Sequence, residues 1–162
     1  MTIPNAPAPH VLRSVPAAED GALPDPQVHP ELYDDVLVKR FIAWAIDSAL
    51  VWGLWLVLSV VTLGILIWLL PFFAVLDFVY RASTLSRRSA TWGMRLAGIE
   101  LRDRRGERLD GGQAFAHTCG YMASMVMFFP VQVASLAAMA VTERRQSLTD
   151  MVLGTAVLNR QV

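Results

Sequence analysis

The chain has 162 residues, of which 54% are apolar and 17% are charged, and its 14 basic residues balance 14 acidic ones. Soluble proteins have about 25% charged residues, so this composition favours a membrane protein. The net charge of zero provides no overall field that would attract nucleic acid, and the single cysteine, Cys119, excludes an intrachain disulfide and a cysteine zinc site.

Residues 1–31 form the first segment in chain order. They are rich in proline and alanine, carry scattered acids, and lack the apolar content that a folded core needs. We expect a disordered tail on the cytoplasmic side. One membrane domain is predicted to follow it, over residues 32–160.

The dominant feature is the stretch 41–80, forty residues that carry only two charges. A helix needs about 20 residues to cross a bilayer core of about 30 Å, so forty residues predict two crossings. A β-branched residue and a glycine at 62–64 predict the turn between them. The two spans are therefore expected at 41–61 and 65–81, as a transmembrane helical hairpin.

The loop over residues 81–111 contains eight arginines and four acids. Cytoplasmic loops carry an excess of Arg and Lys, so this loop is predicted to be cytoplasmic, the hairpin turn external and the amino terminus cytoplasmic. The expected location is a bacterial inner membrane, crossed several times. The basic residues between Arg81 and Arg108 are expected to attract anionic lipid headgroups.

Residues 112–141 form a third apolar segment without a formal charge, interrupted by Pro130. If the segment is one tilted span, the carboxyl end lies outside. If the chain turns near Pro130 and returns, the carboxyl end is cytoplasmic, and the alternating stretches 98–102 and 156–159 can pair as strands. The charge rule and the strand partner favour the return, but its leg of eleven residues is too short for a full span. Both topologies remain open.

The predicted fold class is therefore an all-α membrane protein. It combines the transmembrane hairpin with a third, proline-interrupted membrane helix, and adds a short β pair at the cytoplasmic face if the chain returns. His117, where the third segment begins, is predicted to be an interfacial histidine rather than a proton carrier.

Two acids lie within the predicted spans, where an ionised group is costly and often functional. Asp47 is sixteen residues before Leu63 and Asp77 is fourteen after it, so both should lie at nearly the same depth in an antiparallel hairpin. If they face each other, they could share a proton and serve proton-coupled transport. Alternatively, each pairs with an arginine or a backbone group and fixes the helix register. A third acid, Asp150, could reach Arg40 if the carboxyl end is cytoplasmic.

No nucleophile and base pair, phosphate-binding loop or metal-ligand cluster is visible in the sequence. We therefore predict neither an enzyme nor a cofactor or metal site. The helix face formed by Ala116, Gly120 and Ser124 carries small residues at i, i+4 and i+8, which is typical of close helix packing.

Three sequence pieces occur in a fixed order around the hydrophobic segments. These are Lys39-Arg40 followed by Asp47, the stretch 91–101 (TWGMRLAGIEL), and the stretch 144–150 (RRQSLTD). In this order they resemble the RDD family of small integral membrane proteins, which is named for an arginine and two aspartates. The resemblance spans about residues 38–160.

The resemblance implies that Arg40, Asp47 and Asp150 are the name-giving residues. The chain departs from the family pattern at Met94, where lysine is usual, and Asp77 is not part of that pattern. Some members are associated with sodium/proton exchange and others with membrane complexes. We therefore expect a protein that transports, or supports transport of, a small cation or solute as an oligomer. The alternative is a non-catalytic scaffold subunit that packs against other membrane proteins through the Gly120 face.

Overall fold

The computed structural model of the protein describes residues 22–126 and 129–160. This part of the chain is mostly helical, and two short strands form an antiparallel pair. The helices are α1 (Val36–Val61), α2 (Leu70–Arg88), α3 (Trp92–Leu96), α4 (Gly111–Val126), α5 (Phe129–Val141) and α6 (Leu148–Leu153). The strands are β1 (Ile99–Arg102) and β2 (Ala156–Asn159).

The helices α1 and α2 run antiparallel, and the turn between them lies where the sequence predicts it. Leu63 and Gly64 both have left-handed backbones, with φ of 55° and 86°. Glycine adopts this conformation without steric cost, which explains its place in the turn. A short 3-10 turn, Ile65–Trp68, then leads into α2. Between the two helices, the ring of Trp52 packs against the ring of Phe73 with their centroids 4.5 Å apart.

Helix α2 is longer than the predicted second span. It continues to Arg88, about two turns beyond residue 81, where the loop is predicted to begin. An ion pair between Asp77 and Arg81 at 2.9 Å supports the helix at this point, because residues four apart lie on the same helix face. The first eight residues of the predicted basic loop, 81–88, are therefore helical.

The third apolar segment forms two helices, α4 and α5, rather than one interrupted helix. The Gln132 side-chain amide of α5 donates to the Ser124 hydroxyl of α4 at 3.3 Å. In the middle of α5, the Ser135 hydroxyl accepts a hydrogen bond from the Leu148 N–H at 3.3 Å. Helices α4 and α5 therefore pack against each other. The topology with one tilted span is wrong, because β2 returns to pair with β1.

The predicted pairing of the two strands is confirmed. Ile99 lies opposite Asn159, and Arg102 lies opposite Ala156. The sheet is the centre of a small core at the amino-terminal end of α1. Its buried residues include Val36, Leu85, Ile99, Leu101, Leu109, Ala114 and Val157.

Part of the predicted tail belongs to the fold. Leu23 and Leu32 are buried in a cluster with Tyr33 and residues of β2. The Tyr33 hydroxyl also donates to the Pro24 carbonyl at 2.7 Å. The prediction of a disordered tail is therefore wrong for residues 22–31, because their apolar side chains complete the core. The remaining tail residues, 1–21, lie outside the described residues.

Much of the apolar surface of the helices is not used for packing within the chain. The helical stretch Pro30–Val61 is long and apolar enough to cross a membrane, and only 22% of its most apolar window is buried. No second helix among the described residues meets the same criterion of length and composition. The second crossing, and with it the transmembrane hairpin, stays a prediction.

Candidate functional site

Asp47 lies on α1, and 1% of its surface is exposed. Its carboxylate accepts hydrogen bonds from the Tyr80 hydroxyl at 2.6 Å, the Thr91 hydroxyl at 2.5 Å and the Gly93 N–H at 2.8 Å. Thr91 is the N-cap of α3, and its hydroxyl accepts a hydrogen bond from a backbone N–H in the first turn of that helix. Asp47 therefore holds the beginning of α3 against α1. We call these four residues the Asp47 centre.

Glycine is required at position 93 because α3 approaches α1 very closely. A Cβ atom there would lie 2.9 Å from Cγ of Asp47 and would also collide with the Ala43 carbonyl. The glycine lets the backbone N–H reach the carboxylate.

Arg81 links the two acids of the predicted spans. Its Nε donates to Asp77 at 2.9 Å, and its Nη1 lies 3.9 Å from Asp47. The guanidinium also lies over the ring of Tyr121 on α4, 4.3 Å from the centroid, as in a cation–π contact. Arg81 therefore stands between the two acids and contacts both of them. This geometry is the one expected when acids fix the helix register.

Asp150 lies in the first turn of α6 and is fully buried. Nη1 of Arg40 lies 2.7 Å from Oδ2, as an ion pair whose geometry is not that of an aligned hydrogen bond. Nε2 of His117 lies 2.9 Å from Oδ1, and the Thr155 hydroxyl donates to the same oxygen at 3.0 Å. The Ser147 N–H donates to Oδ2 at 3.0 Å, which completes a capping box. We call these five residues the Asp150 centre.

The charge state of Asp150 follows from these contacts. Burial alone would raise its pKa, because it disfavours the charged form. The attraction of Arg40 and the hydrogen bonds from His117 and Ser147 outweigh burial, and the pKa lies well below its ordinary value. The carboxylate is therefore ionised at neutral pH although it has no contact with water.

The structure brings Arg40 and Asp150 together, as the returning topology requires, and places Asp47 in a separate centre. Sequence reasoning missed the roles of Tyr80 and Arg81 and did not predict the contact of His117. One signal was available for Arg81, because it follows Asp77 by four residues on the same helix. The contacts between residues on different helices have no comparable signal in the sequence, because their partners are far apart along the chain.

The small-residue face of α4 packs within the chain. A Cβ atom on Gly120 would lie 2.6 Å from Cγ2 of Thr149, which belongs to α6. Ser124, four residues later, accepts the hydrogen bond from Gln132 of α5. The close approach predicted for this face is thus made by the returning chain itself.

The RDD family model matches residues 36–154. The chain belongs to the RDD family. No curated protein and no solved structure matches it. The matched region includes Arg40, Asp47 and Asp150, together with all the elements from α1 to α6.

In this RDD chain, each of the two aspartates fixes a short helix. Asp47 accepts from the first turn of α3, and Asp150 caps α6 while it binds Arg40 of α1. Nowhere in residues 22–126 and 129–160 do three His, Cys, Asp or Glu side chains form a group that could hold a metal ion. The chemistry that both centres offer is charge compensation and hydrogen bonding inside an apolar helical unit.

Proposed function

We propose that this RDD protein is a multi-pass protein of a bacterial inner membrane, with its amino terminus in the cytoplasm. The support comes from apolar side chains that have no partner inside the fold. Leu56 and Val60 of α1 are exposed, and in the turn that follows, Leu63 and Trp68 are 93% and 86% exposed. Exposure of these apolar side chains to water would cost free energy, whereas apolar side chains are expected on a surface that faces lipid.

The lengths of the other helices fit an arrangement in which the chain enters the bilayer from one side. Helices α4 and α5 have 16 and 13 residues, which gives about 24 Å and about 20 Å, less than the bilayer core of about 30 Å. We propose that they form a re-entrant hairpin. The sheet and the basic residues between Arg81 and Arg108 then lie in the cytoplasm, near anionic headgroups.

We further propose that the protein transports, or supports transport of, a small cation or solute. One observation carries this proposal: a buried carboxylate, Asp47, lies on α1, the helix that is long and apolar enough to cross a membrane, and shares a cation, Arg81, with a second acid, Asp77. Ionisable groups inside a membrane domain often mark an ion or proton pathway. One chain with these few helices encloses little volume, so we propose that several copies form the pathway.

Cation flux in proteoliposomes tests this function. We expect pH-dependent flux from the parent chain and its loss in Asp47→Asn, because the amide keeps the shape but cannot change charge. The matched control is Glu107→Gln, which neutralises an exposed carboxylate outside both centres and should leave the flux unchanged. Absence of flux in the parent, or equal flux in Asp47→Asn and the parent, would contradict the proposal.

The alternative is a non-catalytic assembly subunit. It is favoured by the observation that two of the acids already have an arginine partner, Asp150 with Arg40, and Asp77 with Arg81. Such ion pairs would hold a rigid shape for a partner in the membrane. A parent chain without flux that purifies from native membranes in a fixed ratio with another membrane protein would support this function instead.

A further inference from the structure

We infer that α3 and α6 form a second membrane-contact surface, which inserts into the headgroup layer of an anionic cytoplasmic leaflet. This interfacial surface consists of Trp92, Leu96, Met151 and Val152. It rests on the proposed membrane location, and it adds a specific contact with the polar boundary of the bilayer.

The first observation is that these two short helices expose apolar rather than polar side chains. Trp92 and Leu96 of α3 are 52% and 72% exposed. Met151 and Val152 of α6 are 50% and 77% exposed. The helices lie at the polar end of the molecule, beside the sheet, where exposed side chains are expected to be hydrophilic. Because two separate helices both expose apolar side chains here, we infer that both face the same apolar environment.

The second observation is that both helices are attached to the same end of α1. Helix α3 contacts α1 at Asp47 through Gly93, and α6 contacts it at Arg40 through Asp150. These two positions on α1 are about two turns apart. The interfacial surface is therefore attached within one stretch of about 10 Å along the helix that is proposed to cross the bilayer.

The third observation is that exposed aromatic residues lie on α1 at this same level. Phe41 and Trp44 are both exposed, and their ring centroids are 5.8 Å apart. They begin the apolar surface that continues along α1. Tryptophan is enriched at the boundary between lipid and water, so this is the depth at which the bilayer surface is expected.

The charges identify the type of lipid. The Arg95 guanidinium lies over the Trp92 ring, 4.7 Å from its centroid, and Arg87 and Arg88 are exposed at the end of α2. An aromatic ring combined with a cation matches a boundary where acyl chains meet phosphate groups. A second protein would also accept an apolar face, but the neighbouring arginines favour anionic phospholipid.

The two centres then have the same structural role, which is to position the two short helices. Asp47 fixes the first turn of α3, and Asp150 fixes α6. Each aspartate is a positioning residue that holds one half of the interfacial surface at the level of the headgroups.

Fluorescent labels at single cysteines test the surface in the full-length chain. Exposed Cys119 is first replaced by serine, and an environment-sensitive dye is attached at Leu96→Cys, Val152→Cys or, as a control, Leu56→Cys. The chain is reconstituted in phosphatidylcholine vesicles with about one third phosphatidylglycerol. Nitroxide quenchers are placed on the lipids either near the headgroup or near the end of the acyl chain.

We expect the label at 56 to be quenched by the deep nitroxide, and the labels at 96 and 152 by the shallow one. If the label at 56 is not quenched, the proposed membrane location fails. If 56 is quenched while 96 and 152 emit as in water, the location stands and the interfacial surface is overturned. Blue-shifted emission at 96 and 152 without quenching overturns it too, because protein then covers the surface. Met151→Cys replaces Val152→Cys if that variant does not fold.

The contribution of charge is measured with the same labels. Shallow quenching at position 96 should fall about twofold when phosphatidylglycerol is omitted, and by a similar factor in Arg95→Gln with the anionic lipid present. The matched control is Arg160→Gln, at the exposed residue that follows β2 and outside the basic stretch 81–108, which should change nothing. Quenching that is independent of both the lipid charge and Arg95 would overturn the assignment to an anionic leaflet.

Discussion

The Asp47 and Asp150 centres have the same structural role but use different contacts. Each holds a buried carboxylate that fixes the start of a short helix. Asp150 has an arginine within 2.7 Å and caps its own helix through Ser147. Asp47 accepts from two hydroxyls and one backbone N–H, its arginine is 3.9 Å away, and the helix it fixes begins 45 residues later in the chain.

Because of this difference, the two centres should respond differently to the loss of a charge and to the loss of close packing. Removing one partner of a buried ion pair leaves the other charge uncompensated, which is expensive. Removing the charge of a carboxylate held mainly by neutral donors loses less, because the amide oxygen of an asparagine can still accept the hydrogen bonds from Tyr80 and Gly93. We therefore expect the Asp150 centre to depend on charge and the Asp47 centre to depend on close packing.

The largest expected effect is that of Asp150→Asn. The substitution leaves the Arg40 guanidinium without its counter-charge, and we expect a loss of about 3 kcal/mol in the free energy of unfolding in mixed micelles. Asp47→Asn is the matched comparison, with an expected loss of about 1 kcal/mol. Equal losses in the two variants would remove the proposed distinction between the centres.

A double-mutant cycle isolates the ion pair. Arg40→Gln combined with Asp150→Asn should cost less than the sum of the two single losses, by about 2 kcal/mol, because the second substitution removes the uncompensated charge. Additive losses would mean that the 2.7 Å contact does not stabilise the fold.

The next effect tests close packing at the Asp47 centre. Gly93→Ala places a methyl group against the Ala43 carbonyl and Asp47, so we expect a loss of about 2 kcal/mol in the free energy of unfolding. Gly53→Ala is the control, because the added Cβ has no atom within 4 Å and alanine favours the helix. A Gly93→Ala chain as stable as Gly53→Ala would contradict the close approach of α3 to α1.

The sequence predicts those parts of this fold that depend on local pattern. The apolar stretch ending in Thr62-Leu63-Gly64 predicts α1 and its turn, because length and a glycine in the left-handed region determine them. The alternating residues predict β1 and β2. The sequence does not predict the extension of α2 to Arg88, because the excess of arginines indicates a cytoplasmic loop, although arginine also has a high helix propensity.

The centres could be predicted only in part, for a physical reason. The resemblance to the family implied Arg40, Asp47 and Asp150, and the structure joins the first and the last of them. Tyr80 and Thr91 reach Asp47 from elements 33 and 44 residues away, at distances that depend on how the helices are rotated. Helix rotation is determined by packing over the whole unit, which a pattern along the chain does not contain.

The smallest expected effect is a pH dependence that distinguishes charge from burial at Asp150. The folded pKa of Asp150 is lowered, since Arg40 and the hydrogen bonds outweigh burial, and the unfolded value is about 3.9. The stabilisation by its charge is therefore complete above about pH 4 and is lost as the pH falls further. The measurement is the difference in unfolding free energy between the parent and Asp150→Asn at a series of pH values.

Both chains carry His117→Gln in this measurement, so that the contact of Asp150 with Arg40 is tested without the imidazole. We expect a constant difference from pH 8 to pH 5, and below pH 4 a decrease that approaches about 1.4 kcal/mol per pH unit. A difference that already declines between pH 7 and pH 5 would mean that the folded pKa is raised. Burial would then dominate over the attraction of Arg40, and the Asp150 centre would be held mainly by hydrogen bonds, as the Asp47 centre is.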